Sequence, residues 1–298
     1  MITPFPFAGE WAALLGALAW SIGSIYFAIA FKKFSPNEAA WYKNASACIF
    51  LFVVSFFISS QPINLENLSW LTLSGILGLG LGDWLYFLAI AHIGISRTVI
   101  ICQAVPALTA LLDWPIFGKN LSLIQLSGIA LVVIGGVIAE SQRFRASRSS
   151  FDQIGVKAAL LCVLLWTISN LTVYQGMKDT DPFTGASIRL FVGALFFGIW
   201  FYKKGTLKRN LQLLISKDAF KLLAFPTFIG TCIGMVMNVS SYKWTSASVA
   251  ATLGSTVPLF AIPLSILVLK EKPGWTGWLG AGIVIIGALL VGYDFSLS

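Results

Sequence analysis

The stretch AALLGALAWSI at residues 12–22 returns as AALLCVLLWTI at residues 158–168, without a gap and at an offset of 146. Beyond the second apolar run the offset becomes 152, which brings Pro106 onto Pro258. Matching prolines and glycines continue in this register towards the end of the chain. Self-similarity at a constant offset indicates that one structural unit is used twice.

The composition places both copies of this unit in a membrane. Apolar residues make up 57% of the 298 residues and charged residues only 11%, whereas a soluble domain carries about 25% charged residues. Apolar runs of roughly 20 residues, enough to span a bilayer as a helix, recur along the chain. We therefore expect an all-α polytopic membrane protein. Its ten candidate transmembrane spans are residues 9–30, 38–59, 69–91, 98–117, 122–139, 154–176, 184–202, 220–242, 248–269 and 275–293.

The number of spans in each copy determines how the copies are related. Because five is an odd number, the second copy must cross the membrane in the opposite direction from the first. We expect a first five-helix repeat at residues 1–140, a basic loop at 141–153 and a second, inverted repeat at 154–298. Inverted repeats build many secondary transporters, with the substrate site near the midplane of the bilayer.

The net charge of +8 is explained by where the lysines and arginines lie. Five connecting loops, with their flanks, hold 15 of the 20 basic residues, and the loops on the opposite face hold three. Because short basic loops stay in the cytoplasm, this count predicts that both termini lie outside the cell (inner) membrane. The basic composition therefore needs no nucleic-acid partner.

Enzymatic chemistry is not expected from this chain. It has one histidine, and its histidine, cysteine and carboxylate residues do not cluster with the spacing of a metal site. A lipid-acting membrane enzyme would need such a cluster, or a nucleophile beside a histidine. The phosphate-binding motif GxxxxGK[ST] is absent, so ATP hydrolysis is not expected either. We predict neither a metal nor a cofactor.

Three stretches carry a family resemblance: ALAWSIGSIYF at residues 17–27, LGLGDWLYFLAIAHIGISRTVI at 79–100 and LGSTVPLFAIPLSILVLKEKPGWTGWLGAGIVIIGALLV at 253–291. In them the chain resembles the EamA-type transporters of the drug/metabolite transporter superfamily. The resemblance implies ten helices in two repeats and secondary transport of small metabolites, often the export of amino acids. For many relatives it also implies cytoplasmic termini, in contrast to the charge count. The first repeat departs from the family at Lys119, where an acid is usual.

Asp83 is the ionisable residue that most needs explanation, because it lies in the middle of the third candidate span. A charged side chain there costs about 2.5–3.5 kcal/mol on insertion scales, and it persists where it faces water or a partner. Asp83 either binds a substrate ammonium or a coupling proton in a central cavity, or is a structural acid that pairs with Lys43 or caps polar groups on a neighbouring helix. Tyr86 shares its helix face. Its repeat counterpart is Met235, so one repeat alone carries the acid.

Two basic residues inside the spans, Lys43 and Arg189, occupy equivalent positions seven residues after matching prolines. Seven residues correspond to about 10 Å of helix. The two side chains either attract a carboxylate or phosphate on the substrate, pair with acids in alternation as gates, or extend to the nearest interface. The family resemblance favours Arg189, which stands in the context IRLFVG.

Further aromatic and polar residues lie at membrane depth. Aromatic walls with a few convergent polar groups suit an amphipathic small molecule, although tryptophan also serves in packing alone. Prolines in the fourth and ninth spans either bend during transport or form static kinks. Asp113 is expected to be solvated near an interface. The candidate cavity residues are Trp20, Trp166, Ser24, Asn170, Gln103 and Asn238, and the candidate kinks are Pro106 and Pro258.

Together these features favour a secondary transporter, and an exporter, of amino acids or related zwitterions, since one acid and two cations suit a zwitterion. The alternative substrate is a phosphorylated or nucleotide-linked anion, which suits the cations but would be repelled by Asp83. The predicted partners are the lipid bilayer, a small-molecule substrate and, for coupling, protons.

Overall fold

The chain folds as a set of membrane-length helices. Eight helices are long and apolar enough to cross a membrane, and two shorter apolar stretches cover Leu123–Ala139 and Trp275–Val291. The protein is therefore all-helical and multi-pass, as its composition predicts. The computed structural model describes residues 5–58, 63–118, 121–146, 152–270 and 274–293, and their regular structure is helical throughout.

The two halves of the chain use the same order of helices, with one addition. α8 is a short helix without a counterpart in the first half, and it supplies the extra residues that raise the repeat offset from 146 to 152. The helices of the first half are α1 Ala8–Ala30, α2 Pro36–Ile58, α3 Leu65–Ile93, α4 Ile95–Cys102 with Ala104–Phe117, and α5 Leu123–Ala146. Those of the second are α6 Gln153–Gly176, α7 Pro182–Lys203, α8 Leu207–Leu214, α9 Lys217–Trp244, α10 Ala247–Gly254 with Val257–Leu269, and α11 Trp275–Tyr293.

Local sequence determines where the equivalent helices α2 and α7 begin. The Ser35 hydroxyl and backbone N–H both donate to the Glu38 carboxylate at 2.9 Å, and the Glu38 N–H donates back to the Ser35 hydroxyl. This reciprocal capping satisfies donors that a helix start leaves unpaired. In α7 the Asp181 carboxylate accepts the N–H groups of Phe183 and Thr184 instead. Each cap is followed by a proline, which suits the first helical position.

The third helix of each half contains a π-helical segment, at Ile76–Gly82 in α3 and Thr227–Ile233 in α9. Each π turn holds an extra residue and is marked by glycines. The glycines allow very close helix contacts: a Cβ on Gly23 of α1 would lie 2.7 Å from the Gly230 Cα. The small residues therefore let α1 of one half approach α9 of the other closely.

Equivalent helices of the two halves run antiparallel to each other. A Cβ on Gly128 of α5 would lie 2.7 Å from the Gly287 carbonyl oxygen of α11, and one on Gly135 would lie 2.8 Å from the Gly280 carbonyl oxygen. The earlier residue of one helix therefore meets the later residue of the other. At the offset of 152, Gly128 corresponds to Gly280 and Gly135 corresponds to Gly287. Exchange of the two halves therefore turns each contact into the other, which is the pattern of a two-fold relation between the halves.

The pair α2 and α7 repeats this antiparallel arrangement. The hydroxyls of Ser55, late in α2, and Thr184, early in α7, lie 2.7 Å apart. Farther along, Gly193 of α7 packs against the Asn44 side chain of α2. The cations Lys43 and Arg189 thus lie on two adjoining helices that run in opposite directions.

Candidate functional site

An ion pair joins α2 to α3, two helices of the first half. The Lys43 Nζ lies 3.4 Å from the Asp83 Oδ2, and it also donates to the Asn44 Oδ1 at 3.1 Å. The side chains of Lys43 and Asp83 remain 18% and 13% exposed, so the pair is not fully sealed. Asp83 therefore has the partner that the structural alternative in the sequence analysis names.

Arg189 reaches from α7 to two other helices and is almost completely buried. It donates to the Asn238 Oδ1 at 3.2 Å, the Ser169 Oγ at 3.4 Å and the Met235 Sδ at 3.6 Å. These partners are neutral, and the Arg189 Nε has no hydrogen-bond partner among the described residues. A guanidinium that is 5% exposed is thus held by neutral groups, although a buried charge is normally paired.

The two halves place different chemistry at equivalent positions. Lys43 corresponds to Arg189, and Asp83 corresponds to Met235 at the two repeat offsets. Where the first half has a cation beside a carboxylate, the second has a cation beside a thioether. Arg189 therefore makes its described hydrogen bonds to neutral groups only, while the carboxylate of Asp83 lies close enough to interact with its charge.

Trp166 and Tyr86 lie together beside Asp83. The Trp166 Nε1–H donates to the Gly78 carbonyl oxygen at 3.2 Å, within the π turn of α3. Its ring also covers Gly82, where a Cβ would lie 2.6 Å from the indole. The ring centroids of Tyr86 and Trp166 are 5.1 Å apart. The glycines of the π turn make room for the indole, which packs at the boundary between the two halves.

Trp20 occupies the equivalent place in the other half. Its indole covers Gly234 of α9, where a Cβ would lie 2.7 Å from the ring. Trp20 and Trp166 therefore both pack on the third helix of the opposite half. These contacts are packing contacts, and a role of either indole as a cavity wall stays a prediction.

The other predicted cavity residues divide into two groups. Asn238 contacts Arg189, and the Asn170 Nδ2 donates to the Thr109 Oγ1 of α4 at 3.5 Å. In contrast, the Ser24 hydroxyl donates to a carbonyl of its own helix, and Gln103 packs against Gly136 of α5. The structure thus brings Asn238 to Arg189 but does not bring Ser24 or Gln103 there.

Helix α4 is interrupted at Gln103, three residues before Pro106, and α10 is interrupted between its two segments, just before Pro258. The two breaks are equivalent at the offset of 152. Each helix is thus interrupted shortly before a predicted proline, at matching places in the two halves. Whether these interruptions move during transport stays a prediction.

Asp113 corrects one expectation from the sequence. Its side chain is 0% exposed instead of solvated, and its Oδ2 accepts the backbone N–H of Ser248 at 2.9 Å. The prediction was wrong because the start of α10 covers this end of α4. Nothing local in the sequence indicates a contact between residues so far apart in the chain.

A serine pair between α3 and α6 was also not predicted. The Ser74 hydroxyl donates to the Ser169 carbonyl oxygen at 3.0 Å, and the Ser169 hydroxyl donates to the Ser74 carbonyl oxygen at 2.9 Å. Because Ser169 also accepts from Arg189, this pair fixes one wall of the arginine site. Single serines in apolar helices give little sequence signal.

The described grooves lie elsewhere, at the end of the molecule where α8 is found. One, of about 350 Å³, is lined by residues 214–217, Phe220 and Lys221. The other, of about 360 Å³, includes Glu38 and Arg209, which form an ion pair. Neither of these two grooves is lined by Arg189.

Comparisons with known proteins agree with this architecture. The chain is 22% identical to an uncharacterized transporter of Archaeoglobus fulgidus over 282 residues, covering 94% of this chain and 96% of that protein. It is 31% identical to the uncharacterized transporter YdfC of Bacillus subtilis over 156 residues, covering 51% of this chain and 48% of YdfC. A solved crystal structure superposes with a TM-score of 0.77 at 13% identity and covers 96% of both chains, which shows a shared fold.

The family comparison covers both halves separately. The model of the EamA-like transporter family matches residues 7–139 and again residues 153–293. These two matches coincide with the two sets of equivalent helices described above. The chain therefore belongs to the EamA-like transporter family.

Proposed function

We propose that this chain is a secondary transporter, working as an exporter, of small metabolites that carry a carboxylate, with amino acids as the substrate class. The observation that carries the proposal is Arg189, a buried guanidinium whose described partners are neutral. Guanidinium groups bind carboxylates through paired hydrogen bonds. A solute carboxylate would supply the charge that Met235 does not.

Asp83 would receive the ammonium group of the same substrate. Its bond to Lys43 is long for an ion pair, at 3.4 Å, and both side chains keep partial exposure. An incoming ammonium could replace the Lys43 Nζ at the carboxylate without leaving Asp83 uncompensated. Lys43 and Asp83 would then form an exchangeable pair, and Arg189 the fixed anchor.

The proposed transport mechanism is alternating access between two inverted five-helix repeats that contribute ten spans. The antiparallel packing of α5 on α11 and of α2 on α7 supports a two-fold axis in the membrane plane. The matched interruptions of α4 and α10 support bending at equivalent places. Discontinuous helices around a midplane site are typical of transporters with this plan.

A second substrate class, phosphorylated or nucleotide-linked anions, is favoured by one observation. The cluster contains two cations, Lys43 and Arg189, for the one acid Asp83. A doubly charged phosphate would use both cations only if Lys43 turned from Asp83 to the solute. This requirement makes it the weaker candidate.

The proposed orientation follows the charge count, with the basic loops in the cytoplasm and both termini outside the cell membrane. Fusion of alkaline phosphatase and of green fluorescent protein to the C-terminus tests it. High phosphatase activity without green fluorescence is expected. Fluorescence without phosphatase activity would support the cytoplasmic termini implied by the family resemblance.

Counterflow in proteoliposomes tests the function. Vesicles loaded with an unlabelled solute are diluted into the labelled form, with amino acids, organic acids, nucleosides and sugar phosphates as the panel. We expect uptake for amino acids and its loss in Arg189→Gln. Uptake of sugar phosphates alone would favour the second class, and the absence of uptake for every carboxylate would refute the proposal.

A further inference from the structure

Helix α8 lies at a surface of the bilayer, because it connects two membrane spans. α7 ends at Lys203, α8 covers Leu207–Leu214, and α9 begins at Lys217. Leu207 and Leu214 of α8 pack against the core, whereas the basic residues of this helix are exposed. A helix with one apolar and one basic side suits the boundary between lipid and water.

Exposed apolar side chains continue from α8 into the start of α9. Ile215 is 85% exposed and Phe220 is 66% exposed, and both line the groove of about 350 Å³ described above. Large apolar side chains exposed in one patch are typical of a surface that meets a partner or a membrane. At the edge of a bilayer, such side chains reach the region where headgroups meet acyl chains.

Two lysines line the same groove. Lys217 and Lys221 are one helical turn apart, so they lie on the same side of α9. Both are exposed, and the ion pairs found among the described residues include neither of them. The groove thus presents two positive charges next to two exposed apolar side chains.

Asp218 stands between these lysines in the sequence, and its charge is shared with a third cation. Its carboxylate pairs with the Lys33 Nζ at 2.6 Å, and it also lies close enough to Lys221 to interact with that charge. Lys33 alone supplies one positive charge for this one acid. The charges of Lys217 and Lys221 therefore remain in excess at the groove.

The first half of the chain makes the equivalent connection without these features. α8 has no counterpart there, and residues 59–64, which connect α2 to α3, contain neither lysine nor arginine. Membrane orientation explains why lysines lie on one face of the protein. It does not explain why two of them share a groove with exposed apolar side chains.

We propose that the groove at the start of α9 binds an anionic phospholipid. The phosphate of the headgroup would lie at Lys217 and Lys221, and an acyl chain would cover Ile215 and Phe220. A free phosphate would use the lysines alone, and a zwitterionic lipid would bring a phosphate without net charge. The proposal depends on the position of α8 at the membrane and not on the solute that the protein transports.

Native mass spectrometry of the protein in detergent tests the proposal, with phosphatidylglycerol and phosphatidylcholine of identical acyl chains as the probes. We expect phosphatidylglycerol to bind more tightly. Replacement of both groove lysines, in Lys217→Gln with Lys221→Gln, should weaken its binding about twenty-fivefold, since each basic residue near an anionic lipid contributes about fivefold. Lys157→Gln with Lys270→Gln is the matched control, because it removes two exposed lysines outside the groove and should leave binding unchanged.

Ile215→Asn tests the apolar part of the site. Because this side chain is largely exposed, its replacement should leave the fold intact, which melting temperatures check for every variant. We expect phosphatidylglycerol to bind about tenfold more weakly, because burial of the isoleucine against lipid is lost. Glycerol phosphate, which lacks acyl chains, should not displace the lipid at an equal concentration.

Three results would overturn the proposal. Equal binding of the two lipids would remove the role of charge. An equal loss of binding in both double variants would show attraction to net charge instead of a site. Displacement of the lipid by glycerol phosphate would mean that the groove takes the phosphate alone.

Discussion

Met235 occupies in the second half the position that Asp83 occupies in the first, and it meets Arg189 through its sulfur at 3.6 Å. The equivalent contact in the first half is the ion pair of Lys43 with Asp83. One residue difference between the halves therefore leaves a buried guanidinium whose described hydrogen bonds include none to a carboxylate. The proposed substrate specificity follows from this asymmetry.

Restoring the symmetry should weaken substrate binding at Arg189. In Met235→Asp the new carboxylate would pair with Arg189 and compete with the carboxylate of the solute. We expect an affinity for amino acids at least about tenfold lower, measured as the half-saturation concentration in counterflow. Met235→Leu is the control, since a swap of similar volume usually costs less than about 1.5 kcal/mol. Equal uptake by both variants would exclude Arg189 as the anion site.

Arg189→Lys should separate charge from geometry. The lysine keeps the positive charge but lacks the planar fork that reaches both Asn238 and Ser169. Because hydrogen bonds to charged groups contribute about 1.5–3 kcal/mol, we expect affinity to fall about ten- to a hundredfold. The measurement is the same counterflow titration. Unchanged affinity would mean that the site responds to net charge alone.

Gly23→Ala tests the close packing between the halves. A Cβ at Gly23 would lie 2.7 Å from the Gly230 Cα, a backbone atom that cannot turn aside. We expect destabilisation of about 1–3 kcal/mol, seen as a lower melting temperature in detergent. Gly282→Ala is the matched control, because its Cβ meets no atom within 4 Å. If the melting temperature of Gly282→Ala fell as far as that of Gly23→Ala, close helix packing would not be the cause of the destabilisation.

Asp152, where the connection between the halves enters α6, predicts that the stability of the fold depends on pH. The hydrogen bond from His92, together with the Ile154 N–H, holds the pKa of Asp152 below its usual range. Because the folded pKa is lowered, this carboxylate stabilises the fold above its unfolded pKa, and the contribution is lost as pH falls through the folded value. Melting temperatures of wild type and Asp152→Asn should differ near neutral pH and converge in acid. Asparagine can still cap α6. A difference in melting temperature that persists in acid would therefore contradict the stabilising role of the Asp152 charge.

The sequence was sufficient for the class of fold and for the family. Low charge content predicted a helical membrane protein, because backbone groups in lipid must be satisfied within each helix. The matched stretches predicted which helices correspond, and the family model matches the chain twice. Pairing of Lys43 with Asp83 was named as one of two alternatives, since both lie in apolar helices.

Contacts between distant parts of the chain could not be predicted from the sequence. The burial of Asp113 depends on α10 lying over the end of α4. The reciprocal bonds of Ser74 and Ser169 depend on the register between α3 and α6, which no local sequence pattern gives. Ser24 and Gln103 were expected in the cavity because they are polar at membrane depth. Ser24 donates to its own helix and Gln103 packs against Gly136 of α5, and a cavity role of either stays a prediction. Polarity alone does not give the direction of a side chain.

Competition in the counterflow assay tests the central claim most directly. The labelled amino acid is challenged with its own unlabelled form and with the amine that lacks only the carboxylate. If Arg189 binds the carboxylate, the amino acid competes and the amine does not, and Arg189→Gln removes the difference. Equal competition by the amine in the wild-type protein would contradict the account.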